Sequence, residues 1–199
     1  MDQVVIRRMQ SNEGVYLEYV ACAAFQNNPM LETIYQTTGK ELFNILKKDV
    51  FEGMFTQAPH ETYVAELDGR FIGFIRSGTC TGSWHSWHSC SNEEYQEIVK
   101  QRIMDLSIEK RWKWLEKTCE TYDLGFSHSH VGPVAVLPMF QSKGIGTKLL
   151  MDYFSRLGDS VSFLETFQEV NARFYMKCGY SLFATDSVLG QKGYWLKKP

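Results

Sequence analysis

The sequence predicts an α+β fold, a mixed α/β arrangement in which a mostly antiparallel sheet is flanked by helices. Two observations lead to this prediction. Strand-like and helix-like segments follow one another in the order β, α, α, β-hairpin, insertion, β, α, β, α, β, β. The central hairpin makes neighbouring strands antiparallel, and this excludes a regular alternation of parallel strands and helices.

The size and composition of the chain indicate one globular domain spanning residues 1–199. The sequence is 44% hydrophobic and has a formal net charge of −2, from 21 basic and 23 acidic residues spread along the chain. A domain of this length buries about two thirds of its unfolded surface. We find no basic block of the kind that binds nucleic acid, so we expect no nucleic-acid partner.

Cysteine usage and hydropathy predict the compartment. The five cysteines, an odd number, have no repeating spacing, which favours free thiols in a reducing compartment over a disulfide framework. The N-terminal segment MDQVVIRRMQ has no apolar core long enough for a signal peptide. No apolar run approaches the ~20 residues that span a bilayer. We therefore expect a soluble cytoplasmic protein without a membrane partner.

The first quarter of the chain predicts one strand and two helices. The β-branched run VVIRRM at 4–9 predicts the first strand. Ser11 and Asn12 are suited to cap a helix that ends near Phe25, and the residues NNPM that follow should break it. Apolar residues at helical spacing predict a second helix over 39–55.

The middle of the chain predicts a hairpin followed by an insertion. Residues 61–78 form two β-rich runs joined by Asp68-Gly69, a pair suited to the positive φ angles of a tight turn. Apolar residues that step by three or four predict one long helix over 92–121. We interpret residues 79–126 as a helical insertion that precedes the next strand.

The last third of the chain alternates strands with helices. The predicted strands and helices lie at 127–137 (β), from the loop at 141–147 to Leu157 (α), 161–165 (β), 169–179 (α), 180–185 (β) and 193–198 (β). Glycines follow both helices, as expected for helix ends.

A glycine-rich loop, PMFQSKGIGTKLL at 138–150, opens the first of these two helices. Gly144 and Gly146 lack a Cβ, so the backbone there can approach a ligand closely. Free N–H groups at a helix N-terminus attract a pyrophosphate, and Lys143 adds a positive charge. The loop lacks the lysine followed by serine or threonine of a Walker A loop, and Leu149 replaces the last glycine of a dinucleotide fingerprint.

Three segments together resemble the GNAT superfamily of N-acetyltransferases. VAVLPMFQSKGIGTKLL (134–150) is similar to the acetyl-CoA-binding motif of that family. HVGP (130–133) and LETFQEVNARFYMKCGY (164–180) extend the similarity to its second CoA-contacting strand and helix. The resemblance implies a GNAT-like fold, in which the insertion precedes the CoA-binding strand, and acetyl-CoA as cosubstrate.

The resemblance also implies which residues bind acetyl-CoA. Backbone groups of one strand would pair with the pantetheine arm, the glycine loop would cradle the pyrophosphate, and an asparagine would hydrogen-bond the pantetheine or phosphate region. In that order these are Val134, Ala135 and Val136; Gln141, Ser142, Lys143, Gly144, Ile145, Gly146 and Thr147; and Asn171. The family often carries an asparagine seven residues before the helix tyrosine, where this chain has Gln168.

The resemblance places Tyr175 near the thioester sulfur, where a phenol can protonate the leaving thiolate. The base that deprotonates the amine is not identified by the sequence: Glu165 and His130 are both candidates. Each of the three also has a structural interpretation. Glu165 would make a structural hydrogen bond, His130 would order the HVGP turn, and Tyr175 would pack as a core aromatic beside Phe174.

The segment TCTGSWHSWHSC at 79–90 offers a competing interpretation. Its possible zinc ligands are Cys80, His85, His88 and Cys90. Their spacing matches no common structural zinc site, so we predict no metal site there. We interpret the segment as an acceptor-side loop whose tryptophans form apolar walls.

These observations predict an enzyme that transfers acetyl from acetyl-CoA directly to a primary amine of a small molecule or peptide. The alternative is a non-catalytic acyl-CoA-binding sensor or interaction module on the same fold. The sequence does not select among acceptor amines, and it leaves a homodimer open.

Overall fold

The computed structural model describes residues 4–56, 61–81 and 90–199, and these residues build one seven-stranded sheet. The strands are β1 (Val5–Arg8), β2 (Glu61–Leu67), β3 (Arg70–Thr81), β4 (Ser127–Val136), β5 (Ser162–Thr166), β6 (Ser181–Val188) and β7 (Gln191–Lys198). Their spatial order is β1–β2–β3–β4–β5–β7–β6. Every neighbouring pair is antiparallel except β4 and β5, which are parallel. The predicted mixed, mostly antiparallel sheet is confirmed.

Helices cover both faces of this sheet. They are α1 (Gly14–Phe25), α2 (Pro29–Tyr35), α3 (Gly39–Ile45), α4 (Asn92–Val99), α5 (Ile108–Thr121), α6 (Ile145–Leu157) and α7 (Glu169–Lys177). One apolar cluster joins α1, α2, α3 and α5 to one face, with Phe74 and Trp195 at its centre. A second joins α6 and α7 to the other face through Leu149, Leu150 and Ala172. In the described part of the chain, no helix combines the length and apolarity that a membrane span requires.

The hairpin between β2 and β3 forms as the sequence predicts. Leu67 pairs with Arg70, so the loop consists of Asp68 and Gly69 alone. Both residues have positive φ angles, +51° and +73°. A two-residue turn of this kind matches the twist of the flanking strands, which is why the Asp-Gly pair was a reliable signal.

The prediction of one long helix over 92–121 is wrong. The segment contains α4 and α5, separated by a short 3₁₀ turn at 103–105. The Ser91 hydroxyl accepts a hydrogen bond from the Glu94 N–H at 3.1 Å, and the Ser107 hydroxyl accepts one from the Lys110 N–H at 3.3 Å. Each serine therefore caps its own helix, and the hydroxyl at Ser107 favours a new N-terminus over a continuous helix.

The start of α1 also differs from its prediction. The capping position is Glu13, not Ser11 or Asn12, and no side chain caps the helix. The Glu13 carboxylate instead accepts hydrogen bonds from the Arg7 guanidinium at 2.7 Å and from the Gln10 N–H at 2.7 Å. These contacts fix the connection from β1 to α1 by an ion pair rather than by a hydroxyl cap.

Two further helical predictions need correction. The segment NNPM starts α2 instead of only ending α1, because the Asn28 Oδ1 accepts hydrogen bonds from the N–H groups of Met30 and Leu31. The helix predicted over 39–55 stops being α-helical after α3 and continues as one π-helical turn at 46–50. Both changes bring apolar side chains of this segment together on the α1 face of the sheet.

The capping role of Ser107 can be tested by stability. Ser107→Ala removes the acceptor for the Lys110 N–H and should lower the free energy of unfolding by about 1 kcal/mol. Ser11→Ala is the matched control, because Ser11 is exposed and caps nothing in the structure. Urea unfolding of both variants measures the difference. An equal effect of the two substitutions would contradict the assignment of the α5 cap.

Candidate active site

The candidate site lies where β4 and β5 separate. The two strands pair only at Ser129–Ser162 and His130–Phe163. Beyond this point β4 runs on along β3 to Val136, while β5 follows β7. A cavity of about 350 Å³ opens between them, and residues from β3, β4, β5, α5, α7 and the N-terminal helices line it. Parting parallel strands therefore create a wedge-shaped site inside a continuous sheet.

His130 and Glu165 bridge the narrow end of this wedge. The His130 Nε2 and the Glu165 Oε2 lie 2.8 Å apart, and the two side chains are only 17% and 18% exposed. With the carboxylate ionised, this hydrogen bond requires the tautomer of His130 that carries its proton on Nε2. The sequence left the two residues as alternative bases. The structure joins them in one hydrogen-bonded pair that lines the cavity.

Tyr175 lines the same cavity from α7. Its ring packs against Phe174 and Tyr180, with ring centres 5.2 Å and 5.8 Å away. Burial, followed by the negative charge of Glu165, raises the pKa of the phenol well above its ordinary value. The side chain thus packs as a core aromatic and also presents a hydroxyl that stays protonated at neutral pH.

Asn171 stands one helical turn before Tyr175 on α7 and lines the cavity as well. Residues four apart lie on one face of a helix, so both side chains point toward the wedge. Gln168, where the family often has asparagine, precedes the helix, and its side chain makes no capping hydrogen bond.

On the edge of β4 that faces the wedge, backbone groups point away from β3. The Leu137 N–H donates to the Ile72 carbonyl, so it points toward β3. Because backbone direction alternates along a strand, the groups of Ala135 also point toward β3 and those of Val134 and Val136 point toward the wedge. The Gln141 side-chain amide donates to the Val136 carbonyl at 3.0 Å. Val134 and Val136, rather than Ala135, are thus placed to pair with an extended ligand.

The glycine loop has the geometry of an anion cradle. Ser142 and Gly144 both adopt positive φ, +59° and +78°. Among residues 4–56, 61–81 and 90–199, no acceptor takes a hydrogen bond from the backbone N–H groups of residues 142–147. Successive unpaired N–H groups at the start of α6 suit a phosphate. Lys143 extends over the Phe140 ring, 5.2 Å from its centre.

Gly146 has a packing role that the sequence did not indicate. A Cβ at this position would come 3.1 Å from the Phe174 ring. The missing side chain therefore lets α6 approach α7 closely, in addition to any contact with a ligand.

The far wall of the cavity comes from residues that sequence reasoning did not single out. It is formed by Phe25, Asn28, Met30, Leu31, Val50, Phe51, Met54, Arg76, Trp112 and Leu115. Arg76 follows the core residue Phe74 by two positions on β3, and residues two apart on a strand face the same side. An arginine on the core-facing side of FIGFIRSG was therefore the signal available in the sequence. Of the proposed zinc ligands, Cys80 is buried on the cavity wall. His85 and His88, like the two neighbouring tryptophans, lie outside the described residues.

Comparison with known proteins identifies the family. Residues 28–180 match the acetyltransferase (GNAT) family, so more than half of the chain is covered. The chain belongs to this family, and the predicted resemblance is confirmed. A search of curated proteins found no match.

Solved structures share the fold at low sequence identity. A Drosophila melanogaster polyamine N-acetyltransferase that forms N-acetylagmatine has a TM-score of 0.67 at 16% identity, over 98% of this chain and 99% of its own. The arylalkylamine N-acetyltransferase 2 of Aedes aegypti scores 0.65 at 15% identity, over 99% of both chains. The PaiA N-acetyltransferase of Thermoplasma acidophilum, in complex with coenzyme A, scores 0.58 at 14% identity, over 98% of both.

The family assignment defines the class of enzyme and its cosubstrate. The chain is an acyltransferase, and GNAT acetyltransferases use acetyl-CoA. The features described above fit such a ligand: an unpaired strand edge suits an extended amide-containing arm, and the loop over 142–147 suits a pyrophosphate.

The phosphate role of the loop can be tested by charge reversal. Lys143→Glu should weaken acetyl-CoA binding about tenfold, because it replaces an attractive charge beside the cradle by a repulsive one. Calorimetric titration with acetyl-CoA measures the affinity, and raising the salt concentration should narrow the difference.

Lys40→Glu provides the matched control for this experiment. Lys40 is an exposed lysine on α3, so the substitution makes the same change in net charge away from the loop. Equal affinities of the two variants would contradict a phosphate site at residues 141–147.

Proposed function

We propose that this chain is a single acetyltransferase domain that transfers acetyl from acetyl-CoA directly to the nitrogen of a primary amine. The observation that carries the proposal is the joint placement of the His130–Glu165 pair and Tyr175 around one cavity. A base and an acid that line a single opening are what direct transfer between two substrates requires.

The cosubstrate would lie along β4 and over the start of α6. In this proposal the backbone of Val134 and Val136 pairs with the pantetheine arm, and the loop over 141–147 holds the pyrophosphate. Asn171 hydrogen-bonds the arm from α7. Acetyl-CoA supplies the acetyl group as a thioester. The N–H groups on the exposed edge of β4 would stabilise negative charge on the carbonyl oxygen.

The His130–Glu165 pair would act as the base. An alkylammonium group has a pKa near 10, so the amine needs to lose a proton before it attacks. The imidazole accepts this proton, and the carboxylate at 2.8 Å stabilises the resulting positive charge. Neither residue works alone in this scheme, since the carboxylate orients the ring and the ring carries the proton.

Tyr175 would act as the acid. As the new C–N bond forms and the C–S bond breaks, the phenol gives its proton to the departing sulfur. The phenolate then recovers a proton from the protonated His130–Glu165 pair. The attacking nitrogen loses a second proton as the amide forms, and this proton leaves to solvent, so each turnover yields one CoA thiol and releases one proton. The elevated pKa of Tyr175 keeps the phenol protonated before each turnover. A binding module without catalysis would need neither this proton donor nor the polar pair.

Two structural relatives support an amine as the acceptor class. They are a polyamine N-acetyltransferase and an arylalkylamine N-acetyltransferase. Their sequence identity to this chain, 16% and 15%, supports a shared fold and does not indicate a particular amine.

The direct experiment measures acetyl-CoA turnover with a panel of amines, by CoA release and by mass analysis of the acetylated product. A protein that binds acetyl-CoA but acetylates no amine would refute the proposal.

A double-mutant cycle tests whether His130 and Glu165 act together as one base. His130→Asn and Glu165→Gln should each lower kcat/KM about 100-fold, because each leaves the amine without a competent base. The double variant should be no slower than the worse single variant, as expected for residues that act as a unit. Effects that multiply would show instead that the two residues serve separate functions.

The acid role of Tyr175 predicts a specific kinetic loss. Tyr175→Phe preserves the ring packing and should keep acetyl-CoA affinity, but kcat should fall about 100-fold, equivalent to roughly 3 kcal/mol of barrier. Tyr19→Phe is the control, because that side chain is exposed on α1 and does not line the cavity. A Tyr175→Phe variant with nearly unchanged kcat, when chemistry limits the rate, would make Tyr175 a packing residue.

The pH dependence of kcat gives an independent measurement. Since the pKa of Tyr175 is raised above the usual tyrosine value of about 10, the active protonated form should persist throughout pH 7–10. The ratio of wild-type kcat to that of Tyr175→Phe should therefore stay constant over this range. A ratio that falls toward one as the pH rises would show that the phenol ionises within it.

A further inference from the structure

Arg76 is a buried cation with few polar partners among the described residues. It is 6% exposed on β3, and its one hydrogen bond to a described residue runs from Nη2 to the Met54 carbonyl at 3.4 Å, near the limit for such a bond. Over residues 4–56, 61–81 and 90–199, no carboxylate forms an ion pair with it. A guanidinium has five N–H donors, so most of these donors have no partner in the described part of the chain.

The environment of this guanidinium is unfavourable for a charge. Apolar side chains such as Phe51 and Met54 surround the cavity that it lines. Desolvation lowers the pKa of Arg76 to about 10, and the group still carries its charge at neutral pH. Burying a charge without a partner is strongly destabilising, so an arginine in this position is best explained by a partner that arrives with a ligand.

The position of Arg76 indicates which ligand brings that partner. Arg76 lies at the irregularity in β3 between Ile75, opposite Val134, and Ser77, opposite Val131. It is therefore beside the His130 end of the wedge. The phosphate loop begins beyond Val136, roughly 12 Å further along the strand. The arginine is thus on the acceptor side of the reacting centre and away from the pyrophosphate.

We propose that Arg76 binds a carboxylate of the acceptor, so that the substrate is an amino acid or a similar amine that carries an anionic group. This inference rests on the proposed acetyltransferase function and specifies its substrate class. The planar guanidinium matches a carboxylate through two parallel N–H···O bonds. The amine of the same molecule then faces the His130–Glu165 pair.

The same charge excludes a different class of acceptor. A diamine would place its second ammonium group against the buried guanidinium, and like charges in a desolvated cavity repel strongly. The relative that forms N-acetylagmatine is a polyamine N-acetyltransferase. This chain would share its fold and reverse the charge preference of its acceptor site.

The decisive measurement compares matched acceptors. The probes are ω-amino acids from glycine to 5-aminopentanoate, their carboxamides and the diamines of equal length. Wild-type protein should favour the best carboxylate over its amide by at least tenfold in kcat/KM, the effect of one charge-assisted bidentate contact. Arg76→Met should abolish this preference, and Arg76→Lys should retain part of it. Arg70→Met, an exposed arginine on the same strand, should leave it unchanged.

A binding experiment keeps the proposal testable if no amine is acetylated. Calorimetry with acetyl-CoA-loaded protein and the amine-free carboxylates from acetate to pentanoate should show binding that their amides lack and that Arg76→Met abolishes. This result would support the anion site even if the proposed acetyl transfer failed. Amines that carry a phosphate, bound in preference to carboxylates, would overturn the carboxylate assignment.

The thermal stability of Arg76→Met shows whether Arg76 serves to bind the acceptor or to stabilise the fold. Removing a buried, unpaired charge should raise the melting temperature of the ligand-free protein. A lower melting temperature together with an unchanged preference between carboxylate and amide would overturn the proposal, because Arg76 would then be a structural residue. An equal preference in the wild type and Arg76→Met would do the same.

Discussion

The architecture of the site depends on the parting of two parallel strands. A buried network holds β4 and β5 together at Ser129–Ser162, the first of their two paired positions. The Tyr153 hydroxyl lies 2.8 Å from the Ser129 hydroxyl and 3.0 Å from that of Ser162, which lies 2.6 Å from the Tyr180 hydroxyl. Burial raises the pKa of both phenols, so the network stays neutral over the physiological range. The strands pair once more, at His130–Phe163, and then diverge, and His130 and Glu165 bridge the gap. The network fixes where the wedge begins, and through it where the reactive groups stand.

Divergence creates an unusual strand edge. Backbone groups in a protein interior normally find partners, and an unpaired edge invites an added strand. Along β4 the groups of Val134 and Val136 face the opening, where none of the seven described strands pairs with them and the Val136 carbonyl accepts only from the Gln141 side-chain amide among the described residues. The chain then turns through residues of positive φ into α6, so unpaired N–H groups continue from the edge into the loop. One backbone feature thus offers hydrogen bonds to an extended arm and to the phosphates that follow it.

The sequence predicted the parts of the fold that depend on local backbone requirements. The Asp68-Gly69 turn formed as expected, with positive φ at both residues. In the loop over 141–147, positive φ occurs at Gly144 and at Ser142, which the sequence did not indicate, while Gly146 lies inside α6. The sequence missed the break before α5 because apolar residues at helical spacing continue on both sides of it. The helix nevertheless starts anew at Ser107, whose hydroxyl caps α5 and is only a weak signal in the sequence. The sequence also could not show that the two candidate bases form one pair, since a contact over 35 residues depends on strand pairing. Arg76 was overlooked for the same reason: its burial depends on helices far from it in the chain.

The features that the sequence predicted and those that it missed lie on different sides of the candidate site. The side that would hold acetyl-CoA is specified by backbone geometry, which a short motif encodes and which many sequences can satisfy; folds at 14–16% identity still superpose over nearly the whole chain. The wall that would face the acceptor in the proposed function is built from side chains of α1, α2, α5 and the turns that follow α3, together with one face of β3. No backbone conformation is required there, so its side chains are free to change with the acceptor. A single buried charge in such a wall therefore carries more information about the acceptor than the conserved geometry of the fold, and in this chain that charge is the guanidinium of Arg76.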